Sequence, residues 1–319
     1  MRMRMSQGKA AGLQKRLLHI LRGGVGKAGA VKKIILYALL IGIGFVFLYP
    51  FLYMFVNSFM SPEDLLNPAV NWIPSGLYLE NYVKAFHTLD FVKSFGNSVY
   101  ITLTATVLQT AVTAVTGYGL ARFDIPFKRL IMVLILATFV LPVETLIIPR
   151  YVMFNDYKLL ETPLTLWLPA ATGQGLQAAV FILVFYQIFR SYPRSLDEAA
   201  EIDGAGKYRV FFSVSLPIAR PALVLTSLFS FVWYWNETRQ SGLFFGETIK
   251  TLPMKLGSFA ASYADLYPSA GNQADAATSI NEAITLAGTV LSCLPILILF
   301  VILQRQFVES IEKSGTTGE

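Results

Sequence analysis

The chain is organised by long apolar runs separated by short polar stretches, rather than by the i, i+3, i+4 alternation of amphipathic surface helices. A helix rises about 1.5 Å per residue. Crossing a hydrocarbon layer of roughly 30 Å therefore takes about 20 predominantly apolar residues, with every backbone group bonded inside the segment. Six runs meet that length, at approximately 34–58, 95–121, 130–150, 163–189, 221–238 and 284–304. No charged residue occurs from Ile34 to Val56 or from Thr162 to Phe189. Glu144, close after Pro142, interrupts the third run, and Glu237 and Arg239 end the fifth. The pattern predicts an all-α integral membrane protein with six transmembrane helices. The first run is too long for a secretion signal and no Ala-x-Ala type site follows Val56, so it is expected to stay in the mature chain.

Composition strengthens this reading. Of the 319 residues 54% are apolar and 14% charged, against about 25% charged in a soluble domain. The single cysteine, Cys293, excludes a disulfide within the chain. A net charge of +6 would raise the question of nucleic acid in a soluble protein, but in a membrane protein its distribution matters more. With the amino terminus in the cytoplasm, the inner segments hold 19 of the 26 Lys and Arg and the outer segments 7. That bias predicts both termini inside and no nucleic-acid partner. The organisation expected is a basic arm over 1–33, a transmembrane domain over 34–304 with a cytoplasmic loop at 190–220, and a tail over 305–319. The arm reads as a flexible segment on an anionic leaflet, with a basic amphipathic helix over Leu13 to Leu21 as the alternative. The outer segments 59–93 and 239–283 have length for surface helices.

The motifs of nucleotide and metal chemistry are missing. Gly26-Lys27 is followed by Ala28 where a phosphate-binding loop needs Ser or Thr. His19, His87 and Cys293 have no metal-ligand spacing, and no Gly-x-Ser-x-Gly or His-Glu-x-x-His occurs. Nothing here supports catalysis by this chain.

The loop from Ser195 to Leu223, SLDEAAEIDGAGKYRVFFSVSLPIARPAL, carries the most pattern. Asp197 is placed to cap a helix whose first turn holds Glu198 and which Ala199 and Ala200 propagate. Gly204 interrupts it. A second helix over Lys207 to Val214 presents Val210, Phe211 and Val214 as an apolar stripe and is expected to end before Pro217. Two readings fit: a loop lying on the membrane surface, or a small docking element.

Glu198-Ala199-Ala200, three residues, Gly204, nine residues, then Val214-x-Leu216-Pro217 resembles the EAA signature of the membrane subunits of bacterial ABC importers. Tyr49-Pro50, Asn57-Ser58-Phe59, Trp72-Ile73-Pro74, Glu80-Asn81-Tyr82, Asn97-Ser98, Ala121-Arg122-Phe123, Trp235-Asn236-Glu237 and Thr251-Leu252-Pro253 look like its carbohydrate group, on the side related to the maltose system's G-type subunit. The resemblance implies a coupling helix between spans 4 and 5 that docks on a separate ATPase through Glu198, Ala199, Ala200, Asp203, Gly204, Ala205, Leu216 and Pro217. It also implies two ATP-binding subunits holding ATP and Mg, a second homologous permease subunit, an extracytoplasmic solute-binding protein, and residence in the bacterial cytoplasmic membrane among lipid. This chain would itself hold no cofactor. Val214 stands where Ile is usual, and the tail Ser314 to Glu319 departs from the maltose-type ending.

Charges inside a bilayer tend to face a cavity or a partner, which makes Glu144, Glu237 and Arg239 candidates for a substrate path. Each has a second reading: Glu144 at the outer headgroups, Glu237 and Arg239 as a local ion pair or a contact to the second permease. Trp233, Tyr234, Trp235 and Asn236 combine stacking rings with a hydrogen-bonding amide, as sugars require, but also fit an aromatic interface belt. Arg239 is expected to favour an acidic sugar over a neutral one. The alternative functions are an ion-coupled secondary transporter, which the few acidic residues in the spans disfavour, and an ABC permease for a non-sugar solute.

Overall fold

The computed structural model describes residues 23–24, 27–28, 30–70, 72–268 and 280–315, and these are almost entirely helical. The exception is an antiparallel pair of two-residue strands, β1 (Gly23–Gly24) and β2 (Lys27–Ala28). The segment Leu13 to Leu21 and the last four residues of the tail lie outside the described residues. The chain divides into two compact units, the first ending at Tyr78 and the second starting at Leu79.

The first unit is built on α1 (Ala30–Asn57), which continues through Pro50. Ser61 then caps α2 (Pro62–Leu66): its hydroxyl accepts from the Asp64 N–H while the Asp64 carboxylate accepts from the Ser61 N–H, with Pro62 at the first helical position. The same carboxylate accepts from the Ser75 hydroxyl at 2.6 Å and the Ser75 N–H at 3.2 Å. Those bonds, the Ser75 hydroxyl foremost, hold the Asp64 carboxyl below the usual aspartate range.

The second unit runs through α3 (Glu80–Thr88), α4 (Phe91–Arg122), α5 (Lys128–Val140), α6 (Val143–Asp156), α7 (Leu164–Ala171) and α8 (Ala178–Ser191). It continues with α9 (Ser195–Ile202), α10 (Lys207–Val210), a π turn (Phe211–Ser215), α11 (Leu216–Ile218), α12 (Arg220–Asn236), α13 (Arg239–Phe245), α14 (Leu252–Gly257), α15 (Phe259–Leu266) and α16 (Glu282–Gly315). Helix α16 thus extends through most of the expected tail.

Among the described residues three helices are by themselves long and apolar enough to span a membrane, Val31–Asn57, Phe91–Arg122 and Glu282–Arg305, or up to five if each bent pair is one span. The other apolar runs are broken, for local reasons. Pro142 holds Leu141 extended (φ −67°, ψ 126°), separating α5 from α6. Between α7 and α8, residues 172–177 leave the helix, with left-handed backbone at Gly173 (φ 74°) and Gln177 (φ 56°). The fifth run is α12, bent by 77° from the helical segment Lys207–Ile218.

Helix α4 is the centre of this unit, packed against α7, α8 and α12. Its approach to α8 depends on Gly117: a Cβ there would stand 2.6 Å from the Phe185 Cβ and 2.9 Å from the Tyr186 nitrogen. Small residues Ala114 and Ala121 flank the crossing, as close helix pairs in membranes require. At the far end of α4, Trp235, Leu252, Phe259, Tyr263 and Ile284 form a second apolar core with α3.

Candidate functional site

The 190–220 loop is tied to the end of α4 by a buried polar cluster. Helix α9 begins at Ser195 without a side-chain cap, so Asp197 lies in its first turn and does not cap it as expected. Its carboxylate is engaged elsewhere. Asp197 Oδ2 lies 3.1 Å from Arg122 Nε, and Oδ1 accepts from the Tyr192 hydroxyl at 3.2 Å. The Arg122 guanidinium stacks 3.7 Å over the Tyr192 ring and donates to the Tyr192 carbonyl at 3.0 Å. Tyr192 Oη is also 2.8 Å from Ser215 Oγ in the π turn, and burial pushes the phenol pKa up. Arg122, Tyr192, Asp197 and Ser215 thereby join three elements at one point.

Gly204 makes the turn that its position predicts. Its φ of 85° is left-handed, and the Gly204 and Ala205 N–H groups donate back to Glu201 and Ala200 at 3.0 and 2.9 Å, closing α9 in a Schellman motif. An exposed ion pair, Lys207 with Glu201, spans the turn and raises the lysine pKa. The second helix does not stop before Pro217. It passes through the π turn, where the Leu216 N–H donates to the Phe211 carbonyl, and Pro217 lies inside α11. A proline lacks the N–H for the preceding turn, and the wider π spacing just upstream is an adjustment that accommodates such a gap.

Val210 and Phe211 are buried as the stripe predicts, Phe211 against Tyr118 and Phe189. Glu198, Ala199, Asp203, Gly204 and Pro217 are exposed, Ala200, Ala205 and Leu216 half-buried. Large apolar side chains that the pattern does not single out stand exposed beside them: Ile202 and Tyr208, each 86% exposed, and Phe212, 62% exposed.

At the other end of α12, Glu144, Trp233, Asn236, Glu237 and Arg239 line one cavity of about 330 Å³, together with Gln177 and Gln240. Arg239 pairs with Glu144, 95 residues away, instead of forming a local pair with Glu237. Glu237 accepts from the Gln240 N–H at 2.6 Å. Trp233 stacks on Phe181 with ring centres 5.3 Å apart. Successive helical residues turn by about 100°, so Tyr234 and Trp235 point elsewhere. Trp235 is 2% exposed and packs on Phe231 and Phe95, so the aromatic run is not a single binding surface.

Tyr234 instead closes a polar knot at the break between α7 and α8. Its hydroxyl donates to Gln109 Oε1 at 2.6 Å and accepts from the Leu176 N–H at 3.3 Å. Gln109 Nε2 donates to the Leu176 carbonyl at 2.7 Å. Both backbone groups of Leu176 are thus satisfied without a helix, halfway along α4. Gly175 leaves the room: a Cβ there would lie 2.1 Å from Gln109 Oε1 and 2.4 Å from the Tyr234 hydroxyl. Among the described residues no group of His, Cys, Asp and Glu is arranged to hold a metal ion.

Residues 111–313 match the family model of the binding-protein-dependent transport system inner membrane component. The diacetylchitobiose uptake system permease protein NgcG of Streptomyces coelicolor is 30% identical over 277 residues, 87% of this chain and 86% of the relative. The arabinooligosaccharides transport system permease protein AraQ of Halalkalibacterium halodurans is 30% identical over 286 residues, covering 86% and 93%. A crystal structure of a bacterial ABC transporter involved in import of the acidic polysaccharide alginate has a chain of the same fold, with TM-score 0.72, 22% identity, and coverage of 88% of this chain and 99% of that one.

Proposed function

Since the chain belongs to the family of binding-protein-dependent transport system inner membrane components, we propose that it is the six-span permease subunit of an ATP-driven importer for an oligosaccharide or modified sugar. The count of six takes α5–α6, α7–α8 and α12 each as one span, beside α1, α4 and α16. The arm, the 190–220 loop and the tail then share the cytoplasmic side, in keeping with the excess of Lys and Arg there. The relatives named above serve diacetylchitobiose and arabinooligosaccharides, which is the support for a sugar as cargo.

The observation that carries the reading is the loop itself. It is fixed to α4 through a buried ion pair yet exposes Ile202, Tyr208 and Phe212. Exposed aromatic and aliphatic side chains on a rigid element are what a partner's cleft binds. In the mechanism we propose, a separate ATPase pair holding ATP and Mg engages Glu198 to Pro217 on this chain and on a second permease subunit. Closure of the ATPases draws the two loops together, and the Arg122–Asp197 cluster passes that motion to α4 as rigid-body movement. A solute-binding protein delivers cargo to the opposite face. Glu144, Trp233, Asn236, Glu237 and Arg239 line the path there, with Gln177 and Gln240 adding amides for sugar hydroxyls.

The test is co-purification and uptake. Tyr208→Asp with Phe212→Asp is expected to leave the chain folded in the membrane while its ATPase no longer co-purifies and vanadate-sensitive uptake is lost. Uptake that persists in this variant, driven by an ion gradient alone, overturns the reading. For the cargo, comparing acidic with neutral oligosaccharides in wild type and Arg239→Gln decides whether the cation selects; an unchanged preference removes that role.

A further inference from the structure

Beside the loop, α5 and α8 border a cavity of about 1110 Å³ that the outer path does not reach and whose inner edge is formed by Arg122 and Tyr192 of the coupling cluster. Its wall carries Lys128, Arg129, Arg190 and Arg194, and no carboxylate. Among the described residues none of these four is ion-paired with a carboxylate, whereas Arg122, at the edge of the same cavity, is held by Asp197. Tyr186 gathers two of the cations: Lys128 Nζ and the Arg190 guanidinium each lie 5.9 Å from its ring centre, and Arg190 Nη1 donates to its hydroxyl at 3.2 Å. Several unneutralised cations converging on one concavity create a strong local potential for an anion.

The cavity continues along α8. It shares Met132, Tyr186 and Arg190 with a second hollow of about 630 Å³ that runs along α8 past Leu183. The flank of α5 bordering it buries no residue, and Leu130, Val133 and Leu134 are more than half exposed. A basic head thus continues past Gln187 and Ser191 to Met132 and Leu183 beside the exposed apolar flank of α5, which fits a molecule with a phosphate at one end and an alkyl chain at the other. We propose that the groove between α5 and α8 binds an anionic phospholipid of the leaflet on the loop side, its phosphate among Lys128, Arg129, Arg190 and Arg194 and one acyl chain along Met132 and Leu183. A small anion alone would use the head of the groove and leave Met132 and Leu183 without a role. Because Arg122 and Tyr192 line the same cavity, the lipid is a direct neighbour of the element that moves.

The experiment uses the full chain, purified with its accompanying subunits in mild detergent and titrated with phosphatidylglycerol, phosphatidylcholine or inorganic phosphate while bound lipid is read by native mass spectrometry. Phosphatidylglycerol is expected to remain bound and phosphatidylcholine to be lost. Lys128→Gln with Arg129→Gln and Arg190→Gln is expected to weaken retention by about a hundredfold, the scale for removing three cations facing an anionic leaflet. Met132→Glu, which puts a carboxylate where the acyl chain would lie, is also expected to lose the lipid. Lys32→Gln with Lys33→Gln, which removes cations elsewhere, is expected to retain it. Should the triple variant not assemble, Met132→Glu decides alone. Equal retention of phosphatidylcholine, retention by either groove variant, or displacement of phosphatidylglycerol by millimolar inorganic phosphate overturns the proposal, the last by showing that a free anion suffices.

Discussion

Two ion pairs sit at opposite ends of the second unit, and they are built to opposite specifications. Arg122 and Asp197 have side chains 6% and 12% exposed, and Tyr192 stacks under the first and donates to the second. Arg239 and Glu144 are 70% and 63% exposed, on helices α13 and α6 that are held together by the buried Phe154–Phe244 contact rather than by this pair. A buried pair is weak evidence for net stability against an apolar alternative, but removing one partner strands a charge without water, so the pair cannot be opened piecemeal. An exposed pair contributes about 0–1 kcal/mol and exchanges its partner for water or a ligand at little cost. The first is therefore a fastener, and the second is a contact that cargo can replace.

The largest effect is expected at the fastener. Asp197→Ala leaves Arg122 unpaired and should cost about 3–5 kcal/mol, seen as a lower midpoint in detergent unfolding and a smaller folded yield. A loss below about 1 kcal/mol would erase the contrast between the two ends. Next comes the knot between them. Gly175→Ala forces a Cβ against Gln109 and Tyr234 and should cost about 1–3 kcal/mol, and Tyr234→Phe, which strands the Leu176 N–H and Gln109 Oε1, a similar amount. The two should not be additive, because they break one network. At the outer pair, Glu144→Gln should change stability by less than about 1 kcal/mol while altering uptake of charged against neutral cargo. A loss comparable to that of Asp197→Ala would make the outer pair structural too.

The smallest effect concerns a carboxylate held by hydroxyl and amide groups alone. Asp64 has a depressed carboxyl pKa in the folded chain, so its contribution is present above the unfolded value of about 3.9 and is lost as pH falls through the lower folded value. Ser75→Ala should therefore lower stability slightly at neutral pH, and the difference from wild type should shrink as pH falls below the folded Asp64 value. A difference that persisted there would mean Ser75 acts through packing instead.

Much of this was legible in the residues because it is local. Gly204 marks a turn through its own backbone, Val210 and Phe211 read as a stripe from adjacent spacing, and the apolar runs announce helices whatever they pack against. What escaped depends on partners far along the chain. Asp197 has the chemistry of a helix cap, and only the fold reveals that Arg122, 75 residues earlier, claims it. Trp235 and Tyr234 look equivalent to Trp233 until the turn of α12 sends them in different directions. Gln109, Gln177 and Gln240 carry no charge and fit no motif, so nothing local distinguishes them from solvated amides. Pro217 reads as a stop because the rule for proline assumes regular α spacing, which the π turn does not keep.

The knot at Leu176 has a consequence for how the protein is made. Its two backbone groups are satisfied by Gln109, already synthesised, and by Tyr234, which leaves the ribosome 58 residues later. Until then one amide of the 172–177 segment lacks its final partner, and hydrocarbon offers no substitute. The α7–α8 segment is therefore expected to wait in the protein-lined insertion machinery, or against water, until α12 arrives, so that these two stretches enter the bilayer as one late step rather than in order of synthesis.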